Sequence, residues 1–527
     1  MKHTYLIGSL FLLAVSCSED EVTNVAPVPD ASTGGSGTGA RPGTGGRGSG
    51  GRATGGATTG GRSSGGASGT GGSAGGAGGV SSGGVSGAPV DGGSDGSEGG
   101  TPDGSVDSGL DGANTIQLTV TIAGTAAGKV RVTGGSVDRA LAGTTVLDVP
   151  AGTYAVTSET VRVDGTYLDS LFDPDAASKS VTVTAGQAGS VTVTYAKRPG
   201  TGFLWVTSSY NGLIAAYSNE QLAQAVALPD AGAVVDPAIL IENPTADAGV
   251  NLDGPHSLAF DAAGNLWVAN CGGGRLLRYS VADLGTSGGP APDRVVNVNE
   301  CARAIAFGPT GELGIAGDTI PLLVSPGDLA QSGTASPRPL GPADFFSYGD
   351  VAAFDSQGNL WMADYTNEQI FRWNASTLAA PPSDAGPSFP DAVLSGGAIS
   401  GPSGITWTQD GSIIVTMYGS DEIVFYDPAQ LQTTGTPIAA KRLAATGSPG
   451  MSGAQIPAFD EQGNLWFPDY NAGTIVGYSA AALATVSGDG GTPVVNGFAV
   501  LAGSSVLSNP IQAVANPAPS WAPVFTP

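Results

Sequence analysis

Six polar residues, His256, Arg303, Asp350, Ser403, Gln455 and Gln512, occupy matched places in a chain of 527 residues. Five of them stand eight residues before a recurring glycine, at Gly264, Gly311, Gly358, Gly411 and Gly463. The sixth matches them in the last apolar stretch, Pro510 to Val514. The residues that follow are mostly apolar or small, as in Leu258-Ala259-Phe260 and Ile305-Ala306-Phe307. Polar side chains at one level of apolar strands predict a ring around a shared space. His256 would serve there as a base, Arg303 as a clamp for an oxyanion, and Asp350 as an orienting carboxylate. The competing reading pairs Arg303 with Asp350 and fills the space with water, and the residue types favour it. As metal ligands the set is poor, with one His, one Asp, two Gln and a repelling Arg303. No cofactor is expected, and calcium at Asp350 is the single metal candidate. No Gly-x-Ser-x-Gly elbow stands between a strand and a helix, so serine hydrolysis has no support.

The chain has three cysteines, Cys17, Cys271 and Cys301. Tyr5 to Val15 is an apolar run too short to span a bilayer, which fits the core of a signal peptide. Cys17 lies just past this run, and Cys271 and Cys301 remain as an even pair that export permits to bond. The net charge of −25 argues against nucleic acid as a partner. A monomer is expected.

The elements that position these residues fall into zones. Residues 18–114 are rich in Gly, Ser and Thr and cannot bury apolar surface. They read as a disordered tether spanning roughly 50–60 Å. Residues 115–198 switch to a period of two: Ile116, Leu118, Val120 and Ile122, then Val130 and Val132, Val181 and Val183, and Val191, Val193 and Tyr195. Such alternation predicts half-buried strands and a small β-sandwich. Residues 202–516 carry a repeat. Its best copies are Gly264-Asn265-Leu266-Trp267, Gly358-Asn359-Leu360-Trp361 and Gly463-Asn464-Leu465-Trp466, each running on into an apolar pair and a hairpin. The Trp-equivalent positions are 205, 267, 314, 361, 414 and 466, in steps of 47 to 62 residues. Several short strands at such a period predict a propeller. The first copy lacks its inner strand and the last segment is an inner strand alone. The expected fold is therefore all-β, a six-bladed propeller whose C-terminal strand closes the first blade. A tail, 517–527, follows.

In that ring Cys271 ends a second strand and Cys301 precedes the next inner strand, so a disulfide between neighbouring blades is expected near His256 and Arg303. Asn270, Asp364 and Asp469 end second strands, where Asx side chains bond to their own turns.

The string Leu13-Ala14-Val15-Ser16-Cys17 resembles the lipobox of bacterial lipoproteins, which implies cleavage within 1–17, a lipid on Cys17 and an outer-membrane or cell-surface address. Pro150-Ala151-Gly152-Thr153-Tyr154 resembles a turn of transthyretin-like sandwiches. The Gly-Asn-Leu-Trp copies resemble NHL-repeat and gluconolactonase (regucalcin)-like propellers. In the gluconolactonase-like proteins metal ligands occupy the inner-strand position, and Asp350 in Tyr348-Gly349-Asp350-Val351 falls on it. The other carboxylates and amides of that set have no match here. The expected function is a surface-anchored binding or scaffold module for a protein or envelope glycan. The alternative is an exported lactonase or lyase acting at the polar mouth.

Overall fold

The computed structural model describes residues 115–227, 233–244, 250–380, 387–444, 451–486, 499–502, 506–508 and 510–518. Cys17, the leader, the Gly-rich segment and the end of the tail lie outside them.

The alternating residues near the start form two sheets. The first runs, in spatial order, Thr145–Val149, Ile116–Ala123, Gly189–Lys197, Ser170–Pro174 and Val161–Val163. The second runs Val137–Leu141, Val130–Gly134, Gly152–Ser158 and Ser178–Val183. Their inward residues share one core of Leu118, Val120, Val132, Val156, Val183, Val193 and Tyr195. All of these but Val156 are residues that the period of two selects, because successive side chains face opposite sides of a strand. Tyr154 Oη donates to Pro150 O at 2.7 Å and closes the expected turn.

Six further sheets, among the described residues, follow from Phe203 to Asn516. In the unit around Trp267 the strands are Pro255–Phe260, Leu266–Asn270, Arg275–Tyr279 and Arg294–Asn297, all antiparallel. The turn between the first two explains the repeat. Gly264 supplies the positive φ of 86° that the tight reversal needs. Asp261 then accepts from Asn265 N at 2.9 Å, Asn265 Nδ2 at 2.9 Å and Trp267 Nε1 at 3.1 Å. Asn265 Oδ1 in turn accepts from Val281 N at 3.0 Å, across the third strand. The same lock recurs at Asp355 with Asn359 and Trp361. It recurs again at Asp460 with Asn464 and Trp466. Each indole is buried and its one polar atom is satisfied, so the tryptophans pack as core.

The last strand, Pro510–Asn516, pairs antiparallel with Phe203–Ser208, Trp205 facing Val514. It also lies beside the inner strands Pro255–Phe260 and Ala458–Phe459 of its two neighbours. The inner strands pack on one another in turn: Pro255–Phe260 on Ala302–Phe307, that on Gly349–Phe354, and that on Pro402–Trp407. Ser403 Oγ, donating to Ala454 O at 2.6 Å, links the fifth sheet to the sixth. The arrangement is that of a β-propeller, and it brings chain ends about 300 residues apart into one sheet.

The sandwich is fastened to this ring through the loop before Ser170–Pro174. Arg162 pairs with Asp169 at 2.6 Å and with Glu461, and donates to Ala518 O at 2.8 Å. Tyr167 sets its edge against Trp466, with ring centroids 6.4 Å apart, and Asn219 Oδ1 accepts from Tyr167 N and Leu168 N.

Candidate functional site

Four of the inner strands carry a β-bulge near their start. Pro255 faces Asn270 and Ser257 faces Ala269, which leaves His256 as the extra residue. Arg303, Asp350 and Ser403 stand at the same point of the next three sheets. A bulge disrupts the ladder at one residue and re-aims its side chain. In the fourth of these, Gly401 precedes the bulge at φ 55°, where a Cβ would lie 2.9 Å from Gly419 N.

The ring differs in part from its expected form. His256, Asp350 and Gln455 do line one cavity of about 210 Å³, together with Ser209, Tyr348, Tyr365, Tyr418, Tyr470 and Ile511. Gln512 does not. Trp205 faces Val514 as Trp267 faces Ala259, so the residue matching His256 is Ile511. Matching by polarity placed the strand one residue late, and a one-residue slip turns every side chain to the other face. Pro510 was the better guide, since Pro255 and Pro402 also precede ring residues. Gln512 instead lines the apolar channel with Leu258 and Ile305, where its Oε1 accepts from Leu258 N. Ser257, its counterpart, accepts from Ile305 N at 3.0 Å. These two side chains staple neighbouring inner strands.

Ser403 is fully buried and bonds Ala454 O, so it belongs to a sheet junction and not to the cavity wall. Arg303 does not bond Asp350. Its guanidinium pairs with Asp318, donates to Tyr348 Oη and lies over the Tyr348 ring at 3.4 Å from the centroid. Asp318 ends the hairpin of the same sheet and is the nearer acid along the chain.

Four tyrosines form an arc on one side of the mouth. Ring centroids are 5.7 Å apart for Tyr348 and Tyr365, 5.6 Å for Tyr365 and Tyr418, and 6.3 Å for Tyr418 and Tyr470. Sequence reasoning missed them, although a signal existed. The residue four places after each Trp-equivalent is Ser209, Cys271, Asp318, Tyr365, Tyr418 or Tyr470. That position follows the second strand and forms a second tier around the mouth.

The electrostatics follow from burial. Asp350 and Gln455 are each only 6% exposed, and neither side chain has a hydrogen-bond partner in the protein among the described residues. Burial pushes Asp350 up to about 7, against the pull of Arg303 and with the help of Asp318. Burial, with the nearby Arg303 charge, pushes His256 down to about 3, so its imidazole is neutral near pH 7. His256 Nδ1 has no partner either. Burial raises Tyr348 to about 12. The cavity thus holds an acid, an amide and an imidazole whose polar atoms are not bonded to protein. Of these, His256 Nδ1 is itself a buried atom without a partner among the described residues, which is costly unless something pairs with it.

Cys271 and Cys301 are bonded, 30 residues apart, and clip two adjacent sheets at this end of the ring. Asp364 and Asp469 bond their own turns as expected, whereas Asn270 bonds the loop before the inner strand instead. Asp364 accepts from Ser347 N at 2.7 Å and Asn367 N at 3.0 Å, and Asp469 from Ser452 N at 2.8 Å and Ala472 N at 3.0 Å. Asn270 accepts from Asp253 N at 2.7 Å. Among the described residues no group of three or more His, Cys, Asp or Glu could hold a metal ion. Asp350 is the one carboxylate among the residues lining the cavity.

Fold and site together define a β-propeller with a polar, tyrosine-edged mouth. No family model and no curated protein matches the chain. Solved structures are similar at low identity. A virginiamycin B lyase from Staphylococcus aureus is 14% identical over 53% of this chain and 77% of its own, with a TM-score of 0.34. A chain of a nidogen/laminin complex is 12% identical over 59% and 97%, with a TM-score of 0.38. The β-propeller domain of Cps50 (Swd1) from Myceliophteria thermophila is 11% identical over 53% and 94%, with a TM-score of 0.36. At such identities the likeness concerns the fold alone.

Proposed function

We propose that this protein is an exported, lipid-anchored binding module. Cys17 carries the lipid, residues 18–114 extend the chain, and a transthyretin-like sandwich spaces a closed six-bladed, NHL-like propeller from the surface of the outer membrane. The propeller mouth recognises a protein or an envelope glycan. One observation carries this reading: Asp350, Gln455 and His256 face one cavity with no protein partner, beside four tyrosines. Aromatic faces with buried polar groups suit a ligand that presents both apolar and polar surface.

Binding to a panel of envelope polysaccharides and proteins tests it. A bound ligand should be lost on Tyr365→Leu and on Gln455→Ala. Binding that survives both substitutions would remove the mouth from the function. Radiolabelled palmitate should enter the wild type and not Cys17→Ala.

A lactonase or lyase is the second reading. It is favoured by one observation, a neutral His256 with a free Nδ1 near an acid that titrates near 7. Turnover of a lactone panel, abolished by His256→Ala, would establish it.

A further inference from the structure

We infer that the mouth receives an organic ammonium group, held by the buried Asp350 carboxyl and the rings of Tyr365, Tyr418 and Tyr470; this rests on the mouth being a binding site. The charge around Asp350 is one-sided. Of the groups facing it among the described residues, Arg303 is the only cation, and Asp318 and Tyr348 already engage it. His256 is neutral near pH 7, and Tyr348 and Tyr365 carry no charge there. Glu368 adds a further acid beside Tyr365. The Asp350 carboxyl is therefore the unmatched group, 6% exposed and without a hydrogen bond.

The aromatic arc supplies the second half of the argument. Ring faces attract cations, most strongly where water is excluded. The arc already does so once, since the Arg303 guanidinium lies 3.4 Å from the Tyr348 centroid. The next three tyrosines repeat that surface around the cavity, each turned well out of its neighbour's plane, by 77° for Tyr365 and Tyr418 and 69° for Tyr418 and Tyr470. A methylated ammonium offers apolar methyl groups to the rings and charge to the carboxylate. A metal ion would meet a single carboxylate in this wall, Asp350. The Gln455 amide oxygen is free to accept from an N–H or O–H of the ligand. With 45 acidic and 20 basic residues, the whole chain also draws cations toward it.

Calorimetry on the full chain tests this with choline and with its neutral isostere, 3,3-dimethylbutan-1-ol. Choline should bind at about pH 8 and the isostere about tenfold more weakly. Choline affinity should fall toward about pH 5.5 as Asp350 takes up its proton. Asp350→Asn should weaken choline about tenfold and abolish that pH dependence, while thermal unfolding shows the fold intact. Tyr418→Leu should weaken it several-fold. Equal binding of the isostere, no saturation by choline, or unchanged affinity in Asp350→Asn would overturn the inference. If a neutral glycan binds and depends on Tyr365 while choline does not bind, the ammonium reading falls and the binding module stands. If no ligand responds to Tyr365→Leu or Gln455→Ala, both fall.

Discussion

The inner strand Gly349–Phe354 has a carboxylate near each end, Asp350 at the mouth and Asp355 at the turn, and they differ in one respect. At the turn end, Asp261, Asp355 and Asp460 each accept from an Asn backbone N–H, the Asn amide and a Trp indole. At the mouth end, Asp350 accepts from nothing in the protein among the described residues. Burial raises both Asp460 and Asp350, but at Asp460 the bonds from Trp466 and Asn464 oppose it. The first kind of carboxylate holds the sheet together. The second stores a cost that a ligand can relieve.

The sharpest way to break this contrast is to remove each end in turn. Trp466→Ala, which empties the core position and removes one of the donors to Asp460, should destabilise by about 3–5 kcal/mol in denaturant unfolding. A loss well under 1 kcal/mol would mean that the turn lock is ornamental. Asp350→Asn should act in the opposite direction. The folded carboxyl keeps its proton up to about 7, whereas its ordinary value is 3.8. Native stability therefore falls as pH rises from about 4 to 7, because the unfolded chain releases that proton first. The variant lacks this decline. It should match the wild type near pH 3.5 and exceed it near pH 8 by at most about 4 kcal/mol. A variant less stable at pH 8 would show that Asp350 is paired in solution.

Smaller effects sharpen the picture. Replacing both Cys271 and Cys301 by Ser should cost about 3 kcal/mol, for a closed loop of this length. Mass spectrometry under non-reducing conditions should find no alkylatable thiol at either position in the exported wild type. Gln512→Leu should cost about 2 kcal/mol by leaving Leu258 N without its acceptor, with no change in ligand affinity. Loss of ligand binding there would return Gln512 to the mouth. Arg131→Ala, which breaks an exposed pair with Asp138 on the sandwich, should leave the unfolding midpoint unchanged.

The sequence made some of the site legible and hid the rest for a stated reason. His256, Asp350 and Gln455 were recoverable because each keeps a constant distance from a turn glycine within one hairpin. Gln512 was misplaced because the last strand has no turn glycine after it, and its partner strand begins at Phe203. Arg303 was assigned to Asp350 on blade adjacency, but Asp318 is delivered to it by the hairpin of its own sheet. The tyrosine arc went unnoticed because Tyr365, Tyr418 and Tyr470 occupy only three of six equivalent positions, and Tyr348 lies in a different segment.

What the amino-acid order determined alone is the hairpin: a glycine of positive φ and an Asp-to-Asn-to-Trp bonding pattern. Those depend on neighbours within about ten residues, so composition and spacing suffice. What the tertiary structure decided is which side chains share the mouth. A single extra residue at each bulge turns His256 and Asp350 inward. The register of one distant strand pair puts Ile511 beside them in place of Gln512. Both are long-range choices, set by how separate sheets meet, and no local pattern encodes them.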